Sequence, residues 1–154
     1  MPFERAETSN FDQVSAELRV APVPTPRLVQ LLIARVCTRL PNLDRRESMR
    51  IARLIEAGAW TDAALAVIAC ELPQWSLRRL VYDDGEWLCA LSRQLYMPQE
   101  LDDTADGHHE VAALAILDAF IEARRRTIAP APRVRTVPQV RASADHAADC
   151  DNFS

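Results

Sequence analysis

The stretch Trp75-Ser76-Leu77-Arg78-Arg79-Leu80-Val81-Tyr82-Asp83-Asp84-Gly85-Glu86-Trp87-Leu88-Cys89-Ala90-Leu91-Ser92-Arg93 decides the fold class. Two runs rich in aromatic, β-branched and leucine residues, Trp75–Tyr82 and Trp87–Arg93, flank Asp84-Gly85. That dipeptide suits a tight hairpin turn, whose central positions need positive φ. Pairing Asp83 with Glu86 then fixes the register. One face carries Leu80 opposite Cys89 and Tyr82 opposite Trp87; the other carries Val81 opposite Leu88 and Arg79 opposite Ala90. Both faces are partly apolar, and a two-stranded ribbon alone is marginal in water. The hairpin therefore demands a cover of helices, further strands or a second subunit.

Upstream the pattern is helical. Thr25-Pro26 reads as a cap followed by a proline at the first helical position, where a missing N–H costs nothing. A first helix is expected over Pro26–Leu40, with Leu28, Leu31, Leu32 and Val36 on one side, stopped by Pro41. Asp44 and Glu47 have the spacing of a capping box and open a second helix over Arg45–Ala57, expected to bury Met49, Ala52 and Ile55 with Ile51 and Leu54 flanking. Gly58 can close it in the left-handed conformation. Thr61 is the expected cap of a third helix, Asp62–Glu71, ended by Pro73.

Downstream, Leu95–Gly107 is acidic and interrupted by Pro98, which reads as a loop. A fourth helix is expected over His108–Arg126, apolar around most of its circumference, with Arg124, Arg125 and Arg126 at the negative end of its dipole. The order of three helices, hairpin and long C-terminal helix packed on it is an α+β fold.

The chain has 154 residues, 49% of them apolar, and a net charge of −4. One domain with tails accounts for that length. Residues 1–24 are expected to be a flexible leader, 25–126 the domain, and 127–154 a disordered Pro- and Arg-rich tail. No apolar run reaches the length of a membrane span, and the start lacks the features of a secretory signal. A cytoplasmic setting without membrane contact is the expectation. All basic residues are arginine, which points to a GC-rich bacterial coding bias. Cys37, Cys70, Cys89 and Cys150 are too widely and irregularly spaced for a structural zinc site and read as reduced thiols.

The block Leu72–Gln94, together with the later His109-Glu110-Val111-Ala112-Ala113-Leu114-Ala115-Ile116-Leu117-Asp118-Ala119-Phe120-Ile121-Glu122-Ala123, resembles uncharacterised small proteins of rhizobia and related alphaproteobacteria. A tryptophan-bearing hairpin followed by a Leu-Ala-Ile-rich helix is also, more faintly, similar to the small phage-associated alpha-beta-alpha sandwich domain, in which helices cover a short antiparallel sheet. The resemblance implies a bacterial source and the hairpin-helix unit, and it transfers no functional residue and no cofactor.

Three groups of residues have side chains suited to function. Asp102, Asp103, Asp106, His108 and His109 bring carboxylates and imidazoles close in sequence, as a divalent-metal or acid/base site of a small hydrolase requires. Adjacent histidines on a helix point about 100° apart, and Asp106 serves equally well as a helix cap. Arg124, Arg125, Arg126, Arg133, Arg135 and Arg141 form a basic segment without an acid, a candidate nucleic-acid contact through phosphate charge. The competing reading is a solubilising tail, since aromatic interleaving is missing. Trp75, Tyr82, Trp87 and Tyr96 are candidate partner-binding residues, because aromatics favour interface centres; core packing is the competing reading for Trp75 and Trp87. A glycine-rich phosphate loop and a Gly-x-Ser-x-Gly turn are both missing from the sequence. The expectation is a non-enzymatic interaction or accessory domain with a protein partner or a second copy, associating through the hairpin or the first helix.

Overall fold

The computed structural model describes residues 2–128. Five helices, α1 (Pro2–Val20), α2 (Pro26–Val36), α3 (Arg45–Glu56), α4 (Trp60–Glu71) and α5 (Ala112–Ile128), accompany three strands, β1 (Ser76–Asp83), β2 (Glu86–Ser92) and β3 (Ala105–His109). The fold is α+β, as the pattern predicts, and the sheet is antiparallel in the order β1-β2-β3.

The hairpin register is the expected one: Leu80 faces Cys89, Val81 faces Leu88, Tyr82 faces Trp87 and Asp83 faces Glu86. Asp84 and Gly85 both have positive φ, 50° and 86°, as a two-residue turn between right-twisted strands requires. The ladder slips once, between Leu77 and Arg79, leaving Arg78 as a bulge.

The third strand replaces part of the expected acidic loop and the first residues of the expected fourth helix. Ala105, Gly107 and His109 are buried while Asp106 and His108 are exposed, the alternation of a strand with one covered face. Gly107 pairs with Cys89. A Cβ at Gly107 would lie 2.2 Å from the backbone nitrogen of Ala119 and 2.6 Å from the carbonyl oxygen of Ala115. Only glycine lets α5 settle this closely on β3. The helix consequently begins at Ala112 rather than His108.

Helix α5 is the middle layer. It packs on β2 and β3 on one side and on α4 and α1 on the other, and Leu114, Ile116, Leu117, Phe120 and Ile121 are sealed from solvent. Each such side chain contributes about 1.5–3 kcal/mol of hydrophobic stabilisation. The opposite face of the sheet exposes Arg79, Val81, Asp106 and His108.

Residues 2–20, expected within a flexible leader, form helix α1. Phe11, Val14 and Leu18 recur at helical spacing and are buried against the core, a stripe narrow enough to be masked by the polar residues around it. The tail beyond residue 128, with Arg133, Arg135, Arg141 and Cys150, lies outside the described residues.

Thr25 caps α2 as expected, its hydroxyl accepting from the Leu28 N–H at 3.2 Å, but α2 ends at Val36 rather than Leu40 because Cys37 is extended. Asp44 caps α3 by accepting from the Glu47 N–H at 2.9 Å, and Gly58 closes the α3–α4 turn at φ 70°. The buried side of α3 is Ile51 and Ile55, whereas Met49 and Ala52 face outward, a rotation of the expected face. Helix α4 starts at Trp60 on Ala59, which lends no side-chain hydrogen bond, so Thr61 is not its cap.

Candidate functional site

The acidic residues preceding α5 are drawn apart by the fold. The bulge at Arg78 aims its guanidinium under the loop that follows β2, where it donates to Asp102 Oδ2 at 2.8 Å and to the Met97 carbonyl at 2.8 Å. The Asp102 carboxylate is almost wholly buried by this pair. Asp103 accepts from Arg126 Nη1. Asp106 accepts from the Thr104 hydroxyl at 3.0 Å. Each carboxylate thus has its own partner, and they do not converge.

The two histidines separate for a different reason: on a strand, neighbours point to opposite faces. His108 is exposed, its Nδ1 3.4 Å from Glu86 Oε2, and its backbone N–H donates to Asp118 at 3.1 Å. His109 is buried, and its Nδ1 accepts from the Val111 N–H at 2.9 Å, which leaves the proton of the neutral ring on Nε2. It tethers the residue that leads into α5. Among the described residues no cluster of three or more His, Cys, Asp or Glu side chains is placed to hold a metal ion.

The thiols and hydroxyls are equally committed. Burial pushes the Cys89 thiol up to about 12, helped by the nearby charges of Asp106 and Asp118. Cys37 is raised further by burial and by Glu71. A thiol that stays protonated at neutral pH is a poor nucleophile. Ser92 is buried, its hydroxyl accepting from the Gln94 N–H at 2.9 Å.

Arg124, Arg125 and Arg126 are all engaged within the chain. Arg124 donates to the Val36 carbonyl and the Thr38 hydroxyl, both at 3.1 Å, and lies 3.6 Å from Glu71. Arg125 reaches Asp12 at 2.8 Å and Ser15 at 3.3 Å. Arg126 holds Glu122 and Asp103. These arginines bind the C-terminal end of α5 to α1, to the α2 terminus and to the acidic loop.

The sequence reading missed Glu71. Although buried, it accepts from the backbone N–H groups of Thr38, Arg39 and Leu40 at 2.7, 2.8 and 3.0 Å and from the Thr38 hydroxyl at 3.1 Å. Burial opposes its charge, but these donors outweigh burial and hold its pKa below the usual carboxylate value. One signal was present: an acidic residue at the end of a helix, where the dipole opposes it.

The aromatic candidates divide. Trp75 is buried, stacked beneath Arg93 at 4.9 Å, with its Nε1 donating to the Thr127 hydroxyl at 3.3 Å. Trp87 is half-buried and supports Tyr82, the ring centres 5.4 Å apart. Tyr82 is 59% exposed and Tyr96 84%, but Tyr82 adjoins the hairpin turn whereas Tyr96 follows the far end of β2. They belong to separate surfaces. Besides Tyr82, β1 exposes Val81 on the opposite face of the sheet and Leu77 toward its other end, and among the described residues β1 is an edge strand bonded on one side only. No helix among the described residues is long and apolar enough to cross a membrane. Neither a family model, a curated protein nor a solved structure matches the chain in the comparisons with known proteins.

Proposed function

We propose that the chain is a non-enzymatic protein-interaction domain, an accessory factor of a bacterial cytoplasm, that docks partners on the hairpin end of the sheet. The observation that carries this reading is an open strand that exposes apolar side chains on both of its faces: Leu77, Val81 and Tyr82 lie on β1, whose outer edge has no neighbouring strand among the described residues. An unpaired strand edge is a ready acceptor for another chain. The residues that suggested chemistry support the same reading from the other side. Asp102, Asp103, His109, Cys89 and Ser92 are occupied in holding loop, strand and helix together.

The test is site-specific photo-crosslinking in the producing cell. A photoreactive residue at position 82 is expected to give discrete adducts of defined mass. The same probe at Gln13, exposed on α1, is expected to give none. Equal adduct patterns at both positions would remove the reading.

A further inference from the structure

Two exposed surfaces of the chain carry unbalanced charge of opposite sign. The first is the outer face of α3, where Arg45, Arg46, Arg50 and Arg53 surround Met49 and Leu54. Among the described residues the only ion pair these guanidiniums make is that of Arg50 with Glu47, at 3.9 Å on the exposed surface, a contact worth little, with Asp62 lining the neighbouring hollow beside Arg50. The contrast with Arg78, Arg124, Arg125 and Arg126, each tied to a carboxylate of its own chain, is sharp. Helix stability does not explain the placement. Arg45 and Arg46 stand in the first turn of α3, where the helix dipole disfavours positive charge. Met49 is 43% exposed in their midst.

The second surface is the hairpin tip. Asp83, Asp84 and Glu86 are all exposed there. None of them pairs with an arginine among the described residues, and Glu86 has only the exposed His108 beside it. Val81 and Tyr82 adjoin them, also exposed. The tip is therefore a narrow acidic projection with one exposed apolar side chain on each face, and the α3 face is a broad basic surface with an apolar centre. Within one chain the two make no ion pair.

We infer that these surfaces are the two halves of one contact, in which the acidic hairpin tip of one copy of this chain seats on the arginine face of α3 in another. This rests on the reading of the hairpin as the docking element and names its partner. Carboxylates of Asp83, Asp84 and Glu86 meet guanidiniums of Arg45, Arg46, Arg50 and Arg53 as charge-assisted hydrogen bonds. The Tyr82 ring offers its open face to a guanidinium and to the Met49 thioether. The apolar centre favours a protein occupant over a phosphate backbone, which has nothing to cover Met49 and Leu54. The net charge of −4 also opposes a polyanion at long range. Made reciprocally the contact closes a dimer; made in one direction it builds a head-to-tail assembly. A hairpin tip on one helix buries less surface than a standard interface, so the association is weak and governed by charge.

The experiment is solution mass of the full chain across a concentration series reaching about 1 mM, the range in which contacts this small are populated. It is run at about 0.1 M and about 1 M salt, where the screening length falls from about 10 Å to about 3 Å. At low salt the mass is expected to climb from 17.3 kDa toward at least twice that value, and to return to monomer at high salt. Arg46→Glu/Arg50→Glu and Asp83→Arg/Glu86→Arg are each expected to stay monomeric with unchanged circular dichroism. Their mixture is expected to associate again, because each supplies the half the other lacks. A monomer throughout the low-salt series, or association indifferent to both reversals, overturns the inference. So does a monomer whose only measurable binding is to a short DNA duplex through Arg46 and Arg50. If the wild type stays monomeric at low salt while crosslinks at position 82 persist, this contact falls and the reading of the hairpin as a docking element stands.

Discussion

Glu71 and Arg124 lie 3.6 Å apart at the point where three helices end. Glu71 is the last residue of α4, Arg124 stands near the end of α5, and the Val36 carbonyl that Arg124 caps is the last of α2. Helix C-termini gather negative partial charge and unpaired carbonyls, and Arg124 answers both. Glu71 in turn receives the N–H groups of the chain leaving α2. A buried anion is tolerated here because three backbone N–H groups and the Thr38 hydroxyl donate to it, with the Arg124 charge close by.

Replacing Glu71 with glutamine keeps the shape but removes the charge and turns one acceptor into a donor facing the N–H groups of Arg39 and Leu40. A loss of about 2–4 kcal/mol is expected, in the range seen when one member of a buried, hydrogen-bonded charge pair is removed. Urea unfolding at neutral pH measures it. A change below about 0.5 kcal/mol, the level of a neutral surface substitution, would show that the carboxylate does not hold this junction.

The same carboxylate sets part of the acid response. Its folded pKa is depressed relative to the unfolded value near 4.5, so its contribution is fully present above that value. The contribution is lost as pH falls through the folded pKa. Between neutral pH and acid, the wild type is expected to lose stability more steeply than Glu71→Gln, and the two curves should converge at low pH. Parallel curves would assign the acid sensitivity to other groups.

Gly107→Ala brings a methyl group against the α5 backbone, 2.2 Å from the Ala119 nitrogen, and neither strand nor helix has a flexible end to yield. A destabilisation of about 3 kcal/mol or more is expected, at the upper end of overpacking costs. Gly85→Ala, where nothing lies within 4 Å, meets only the strain of positive φ and is expected to cost about 1 kcal/mol. Thermal unfolding of both variants separates steric clash from backbone strain.

Thiol labelling of the native protein at mildly alkaline pH should follow burial. Cys70 is half-exposed and, although burial and Glu47 raise its pKa, it is expected to react ahead of Cys37 and Cys89, which are buried. Those two should label only as fast as the chain opens. Peptide mapping after timed alkylation reads the order; early modification of Cys89 would contradict the packing of β2 against α5.

The hairpin was legible because its determinants are local: Asp84-Gly85 sets the turn and the turn sets every pair down to Arg79 and Ala90. The caps at Thr25 and Asp44 were legible for the same reason. Strand β3 was not, because Ala105-Asp106-Gly107-His108-His109 has neither β-branched residues nor phenylalanine, tyrosine or tryptophan. Its small residues on the covered face, Ala105 and Gly107, answer to the nearness of α5, which no window of neighbouring sequence contains. Helix α1 was hidden by the polarity of its outer surface. The acidic and histidine cluster looked like a site because its members are adjacent in sequence. Arg78 and Arg126, 24 and 23 positions away from the aspartates they hold, reassign them to structure.

Helix α5 stands in the middle of the molecule yet is the last described element to be synthesised. The sheet on one side and α4 and α1 on the other each present a surface shaped for it and nothing to put there until it emerges from the ribosome. The core cannot close before α5 is made, and until then the nascent chain holds two unfilled halves of it. A chain stopped before Ala112 is not a smaller version of this domain but an unfinished one, a substrate for chaperones and proteases.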